Sequence, residues 1–139
     1  MPHAIFVNLP VADLARSVAF YKAVGAEQNM QFSDDMAAMM RFSDAVNVML
    51  LTHEKYAQFT SKPIADAHAA SSVLLAIQLG SRAEVEAITE RALAAGAIEP
   101  SPVDEHGWMY GRSFEDPDGH GWGPFWMDAD AAAQAMAAC

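Results

Sequence analysis

Arg112 is the side chain of this sequence with the clearest chemistry to offer. It is the one Arg or Lys in the stretch Gly107 to Met127, and Trp108 and Tyr110 precede it at strand spacing. A guanidinium presents a planar fork of donors that matches a carboxylate or a phosphate. The stretch turns on Asp116-Pro117-Asp118-Gly119. Pro117 presets φ for the second turn position, and Gly119 takes φ > 0 without steric cost. Aromatic and apolar runs on both sides of such a turn predict a β-hairpin. With Asp116 opposite Gly119, Arg112 lies opposite Gly123, and directly opposed residues share a face. On this register Arg112, Tyr110 and Trp108 share a face with Gly121, Gly123 and Phe125, the glycines leaving space beside the guanidinium. Trp122 and Trp126 then pack on the other face, under a helix. The competing role for Arg112 is an ion pair with a carboxylate of this acidic chain, because buried Arg is usually paired.

The other reactive side chains do not assemble into a recognisable site. The five histidines, His3, His53, His68, His106 and His120, are scattered, with no helical i, i+4 pair. No Ser-His-Asp order and no Gly-rich phosphate loop occurs. Asp34-Asp35 and Asp104-Glu105 fall in loops, where solvated carboxylates are the simplest reading. The nine methionines read as adaptable core. The single cysteine, Cys139, stands at the last position, so no disulfide forms within the chain, which fits a reducing cytoplasm.

With 139 residues, 53% of them hydrophobic and 19% charged, the chain has the composition of one globular domain. A formal net charge of −10 disfavours nucleic acid and anionic membrane surfaces as partners. No apolar run is long enough for a transmembrane helix, and no signal peptide is read at the start. The expected location is cytoplasmic.

The elements that must position Arg112 follow from periodicity. Ala4 to Val11 reads as a strand. Asp13 is an N-cap, with Leu14, Val18, Tyr21 and Val24 as the helix stripe and Gly25 after its end. Strands are predicted at Glu27–Phe32, Met36–Phe42 and Ala45–Thr52. A short helix over His53–Thr60 opens a connector, 53–71. A second unit begins with a strand at Ser72–Leu79. Ser81 and Glu84 have the capping-box form. Val85, Ile88, Ala92 and Ala95 are the expected stripe of the next helix, and Gly96 ends it. Ile98 to Val103 is an expected edge strand, since Pro interrupts it. The hairpin supplies two more strands, and residues 128–139 form an Ala-rich tail. The fold class is α+β: one domain, 1–139, of two β-α-β-β-β units, 4–52 and 72–127.

Val11-x-Asp13-Leu14-x-x-Ser17-x-x-Phe20-Tyr21 with Gly25, and Glu115-Asp116-Pro117-Asp118-Gly119 later, resemble the opening and closing motifs of the vicinal oxygen chelate superfamily of glyoxalases, bleomycin-resistance proteins and extradiol dioxygenases. The wording of the chain is most similar to bacterial proteins labelled predicted lactoylglutathione lyases. The resemblance implies curved sheets around a cleft, helices outside, and a metal held by two side chains from each unit. Carried over by position, those four are Phe6, Leu50, Leu74 and Gly123. None can bind a divalent ion, which needs imidazole nitrogen or carboxylate oxygen. The neighbours Val7, Leu51, Leu75 and Trp122 are no better, and Asn8 and Thr52 are weak ligands. The family's Zn or Ni is therefore not expected. With Gly123 facing the cleft, the hairpin register turns Arg112, Tyr110, Trp108 and Phe125 towards it, and strand alternation adds Asn8, Thr52 and Gln78.

Three functional readings result. The first is a metal-free protein that binds a small organic molecule, with Arg112 anchoring an anionic ligand, and sequesters it as bleomycin-resistance proteins do. The second is a metal-dependent lyase or isomerase of the lactoylglutathione lyase type. The third is a structural or regulatory dimer without a ligand. A homodimer is expected, from the high apolar fraction of a small acidic chain and from the family's habit of pairing units.

Overall fold

The computed structural model describes residues 3–137; Cys139 lies outside them. The chain divides into two compact units, Met1–Ser71 with Pro117–His120, and Ser72–Asp116 with Gly121–Cys139. The segment between the expected units, residues 53–71, belongs to the first.

The first unit opens with β1 (Ile5–Val11), followed by α1 (Leu14–Ala23). The Asp13 carboxylate accepts the Arg16 N–H at 3.1 Å and starts the helix. Gly25, at φ 108°, lets the chain leave it. The strands β2 (Glu27–Asn29), β3 (Ala37–Arg41) and β4 (Val46–Thr52) complete a sheet in the order β1-β4-β3-β2, with β1 parallel to β4. The expected second strand is cut short: Met30–Phe32 is a single 3₁₀ turn, because the Asn29 side chain accepts the Gln31 N–H and diverts the backbone from the ladder. The helix α2 (His53–Tyr56) is one turn, capped by Thr52.

The core of this unit lies between α1 and one face of the sheet. Val48 and Leu50 on β4 and Met40 on β3 are fully buried there, with Tyr21 and Phe20 from α1. The helix turns further than its apolar spacing suggests. Ser17 and Phe20 are buried, while Leu14 and Val18 are only half-buried. A polar Ser17 can sit inside because the Asp118 Oδ2 accepts its hydroxyl at 3.1 Å.

The second unit follows the same order with one strand more: β5 (Leu74–Gln78), α3 (Arg82–Ala94), then the short strands β6 (Asp104–Glu105), β7 (Met109–Gly111), β8 (Phe114–Glu115) and the long β9 (Gly121–Met127). The sheet order is β5-β9-β7-β6, with β8 also on β9. Ser81 caps α3 by accepting the Glu84 N–H at 3.2 Å. The buried stripe of α3 is Val85, Ile88, Thr89 and Ala92. Thr89 takes the place expected of Ala95, returning its hydroxyl to the Val85 carbonyl at 2.8 Å. The expected edge strand at Ile98–Val103 reduces to one bridge, Ile98 to Glu115, and the ladder resumes at β6 after Pro102. The tail forms α4 (Ala129–Ala137).

A candidate ligand groove on the second sheet

The hairpin register decides which side chains meet a ligand. Its ladder pairs Glu115 with Gly121 and Phe114 with Trp122. On β7 it pairs Tyr110 with Trp126 and Gly111 with Phe125. The Arg112 N–H donates to the Pro124 carbonyl at 3.0 Å. Arg112 thus lies opposite Pro124, one residue away from the expected Gly123. A one-residue slip turns every side chain of a strand to the other face. The cause is the turn. Residues Asp116 to His120 all leave the ladder, and Pro117–His120 pack within the first unit. There Asp118 Oδ1 accepts the Ala12 N–H at 2.8 Å, and His120 Nε2 hydrogen-bonds the Pro10 carbonyl at 2.8 Å. Gly119 sits at φ 88°, and a Cβ on it would lie 2.7 Å from the His68 nitrogen.

Tyr110 and Arg112 therefore face α3. Tyr110 is buried, and its hydroxyl donates to Glu86 at 3.1 Å. Burial first, then that hydrogen bond, raises its phenol above the ordinary 10.0. Arg112 is 11% exposed and fully engaged: Nε and Nη2 fork onto Glu99 at 2.9 and 2.8 Å, and Nη1 reaches Glu90 at 2.8 Å. Trp122 and Trp126 lie under the helix, as expected from the sequence, but they share that face with Tyr110 and Arg112, which the expected register places on the opposite face. Phe114 and Trp122 stack at 6.3 Å. The Arg82 guanidinium stands 5.2 Å from the Tyr110 ring and 5.3 Å from the Trp126 ring. Trp108 is half-buried and stacks on His106.

The Arg112 fork holds the Glu99 carboxyl below its ordinary 4.5. A carboxylate whose folded pKa is depressed contributes stability that is complete above its unfolded pKa and is lost as pH falls towards the folded value. Glu99→Gln is expected to lower stability at pH 7 and to flatten its fall below pH of about 4.5, seen as a smaller slope in urea-melt free energies between about pH 5 and 3. An unchanged slope would contradict this.

The opposite, open face of the sheet carries the groove. Ala76, Gly123 and Gly111 form its floor, Phe125 and Met109 rise from it, and Asp104 stands on the rim; its volume is about 520 Å³. A Cβ on Gly123 would meet nothing closer than the Arg112 carbonyl oxygen at 3.9 Å, so the floor there is open. Leu74, though 75% exposed, leans over Gly121: a Cβ on that glycine would lie 2.9 Å from Leu74 Cδ2. Gln78 pairs with Phe125 and shares its face. The Asp104 carboxylate is 2.7 Å from His106 Nε2.

Of the residues expected to line one face, Phe125 and Gln78 lie on this sheet's open face, while Tyr110 and the Arg112 guanidinium lie on the helix side; Arg112 still borders the groove, its carbonyl oxygen facing Gly123. Asn8 is exposed on the open face of the first sheet, beside Phe6 and Met49. Thr52 alternates onto the α1 side, and its Oγ1 accepts the Lys55 N–H at 3.1 Å as the cap of α2. The reading from sequence passed over Met109, Gly111 and Ala76. The signal for them was the shared parity of Met109 and Gly111 on one strand and Gly121, Gly123 and Phe125 on the other, a row of small residues ending in large ones.

The sequence profile of the Glyoxalase/Bleomycin resistance protein/Dioxygenase superfamily matches residues 3–123. The chain belongs to this superfamily. Solved structures agree on the fold. A glyoxalase/bleomycin resistance protein/dioxygenase from Nocardioides is 25% identical at a TM-score of 0.69, covering 91% of this chain and 84% of its own. A family enzyme from Burkholderia phytofirmans PsJN is 20% identical at 0.72, covering 88% and 97%. A bleomycin resistance determinant encoded on the transposon Tn5 is 21% identical at 0.64, covering 91% and 99%. No curated protein matches the chain closely.

The superfamily implies a divalent metal, and the donor chemistry here does not fit one. Phe6, Leu74 and Gly123 lie on the open faces of their sheets, whereas Leu50 is buried on the helix side. The open-face residues of β4 are Asn47, Met49 and Leu51, and the Asn47 amide already donates to the Ile5 carbonyl at 3.3 Å. Among the described residues no three His, Cys, Asp or Glu side chains come together as a metal site. No described helix is long and apolar enough to cross a membrane.

Proposed function

We propose that this superfamily member is a cytoplasmic binding protein that holds a small organic molecule, uncharged or cationic, in the groove over Gly123 without a divalent metal. The observation that carries the reading is the floor of Ala76, Gly111 and Gly123 beneath Phe125 and Met109. A floor of small residues with one aromatic wall accepts a flat apolar body, and a volume of this size falls within the usual range for small-ligand sites. Polarity argues against an anion. Arg112 borders the groove as well, but its guanidinium is held on the helix side by two carboxylates, and Asp104 at the rim adds a negative charge. Gln78 offers an amide at the edge of the same face. The Asp104–His106 contact stands at the exposed rim, and the floor residues Ala76, Gly111 and Gly123 carry no acid or base, so the reading is binding rather than turnover. Sequestration is the use that the resemblance to bleomycin-resistance proteins implies for such a groove. The reading includes a homodimer.

Dye titration tests the charge preference. The neutral dye Nile red and the cation thioflavin T are expected to bind with one site per chain, and the anion ANS at least tenfold more weakly; preferential binding of ANS would overturn the reading. The metal-free reading is tested by elemental analysis. After dialysis against a mild chelator the protein is expected to retain no stoichiometric ion, and about one Zn²⁺ or Ni²⁺ per chain would contradict it.

A further inference from the structure

A second groove, of about 530 Å³, lies wholly within the first unit, on the helix side of its sheet. One wall is α1, where Leu14, Ala15, Val18 and Ala19 form an apolar strip, and Ala38 of β3 lies beneath. Leu14 and Val18 are the residues whose spacing marks them for the core, yet they stay half-buried beside this opening. The groove has charged ends. Lys22 stands in the last turn of α1, near the end of β3 where Glu27 lies opposite Arg41 in the backbone ladder. Asp34 and Asp35 lie at the other end: Asp34 Oδ1 accepts the N–H groups of Met36 at 2.8 Å and Ala37 at 3.0 Å. The five residues of β3 separate the two ends by about 13 Å. The segment between Gln28 and Asp34, both on the groove, carries two exposed apolar side chains, Met30 at 70% and Phe32 at 59%.

An apolar groove with a cation at one end and two carboxylates at the other, next to a pair of projecting apolar side chains, is complementary to itself under a twofold rotation. In such an isologous interface residue i meets j and j meets i. We infer that this face docks a second copy of the chain, with Lys22 of each copy opposite Asp34 and Asp35 of the other, and Met30 and Phe32 of each against the other's Leu14–Val18 strip. The inference rests on the homodimer reading and adds the face that makes it. Like charges placed across an interface act as a strong selector of partner.

The experiment is a charge swap followed by sedimentation velocity of the full chain. The Lys22 and Asp35 side chains are exposed, and the Lys22 carbonyl that caps α1 is unaffected by the substitution, so Lys22→Glu and Asp35→Lys are expected to leave the fold intact, checked by circular dichroism. Wild type is expected to sediment as a dimer. Lys22→Glu places like charges at both contacts and is expected to raise the dimer dissociation constant at least tenfold; Asp35→Lys sets a second cation against Lys22 with Asp34 still present and is expected to raise it by a smaller factor. An equimolar mixture of the two variants restores opposite charges at both contacts and is expected to regain the dimer. Wild-type dissociation constants for both variants, or a mixture that stays monomeric while wild type dimerises, would overturn this face and leave the homodimer reading standing. A monomeric wild type at tens of micromolar would overturn both.

Discussion

Replacing Asp118 by alanine is expected to lower the unfolding free energy by about 3 kcal/mol and the melting temperature by about 10 °C. The side chain is 10% exposed, and its oxygens accept the Ala12 N–H at 2.8 Å and the Ser17 hydroxyl at 3.1 Å, with Arg16 at 3.7 Å. Hydrogen bonds to a charged acceptor contribute about 1.5–3 kcal/mol. Ser17 has no exposure to water, so its hydroxyl would lose that partner in a place where solvent cannot replace it. The Arg16 contact adds little, since that side chain is half exposed. Urea melts measure the loss, with an unchanged m-value as the sign that stability alone moved. A loss under about 1 kcal/mol would show that the hairpin turn does not brace α1. Asp118 thus gives a physical reason for two distant motifs in one chain: the carboxylate of Asp-Pro-Asp-Gly braces the start of the helix that Val11-x-Asp13-Leu14 begins.

Arg112→Met is expected to cost about 2–3 kcal/mol, below the 3–5 kcal/mol of a fully buried pair because both partners keep some solvent. The change leaves Glu99, 22% exposed, without the fork that holds it, while Glu90, 64% exposed, is readily hydrated. Glu90→Gln should accordingly cost less than about 1 kcal/mol. The decisive contrast is functional. Because Arg112 points to α3, its loss should leave dye affinity in the groove within about threefold of wild type once the comparison is made well below the melting temperature, whereas an anchor role would cost 1.5–3 kcal/mol of binding. Thermal melts and fluorescence titration on the same variant separate the two.

The reading from sequence succeeded where the determinant is local. Asp13 and Ser81 cap their helices through a bond to an N–H three residues on, a contact the sequence spacing itself encodes. Alternation within one strand is equally local, so Gly123, Phe125 and Gln78 lie on the open face of the second sheet, and Asn8 on that of the first. The hairpin register failed because it is set from outside. Asp-Pro-Asp-Gly has the chemistry of a tight turn, but Asp118 and His120 bind the first unit at Ala12 and Pro10, and five residues are drawn out of the ladder. One extra residue carried Arg112 and Tyr110 to the helix, and with them the expectation of an anionic ligand. Thr52 shows the same competition on a smaller scale: it ends a strand by alternation and starts a helix by capping, and its side chain serves the cap.

The direct test of the groove is to fill it. Gly123 lies on the central strand of its sheet with a positive φ neither required nor present, and a Cβ there meets nothing within van der Waals reach except the Arg112 carbonyl at 3.9 Å. Gly123→Leu should therefore fold with near wild-type stability while its side chain occupies the space over the floor. Fluorescence titration with Nile red is expected to show one site per chain in wild type and at least a tenfold loss of affinity in Gly123→Leu; equal affinity in the two proteins, with circular dichroism confirming the fold, would contradict the assignment of the groove.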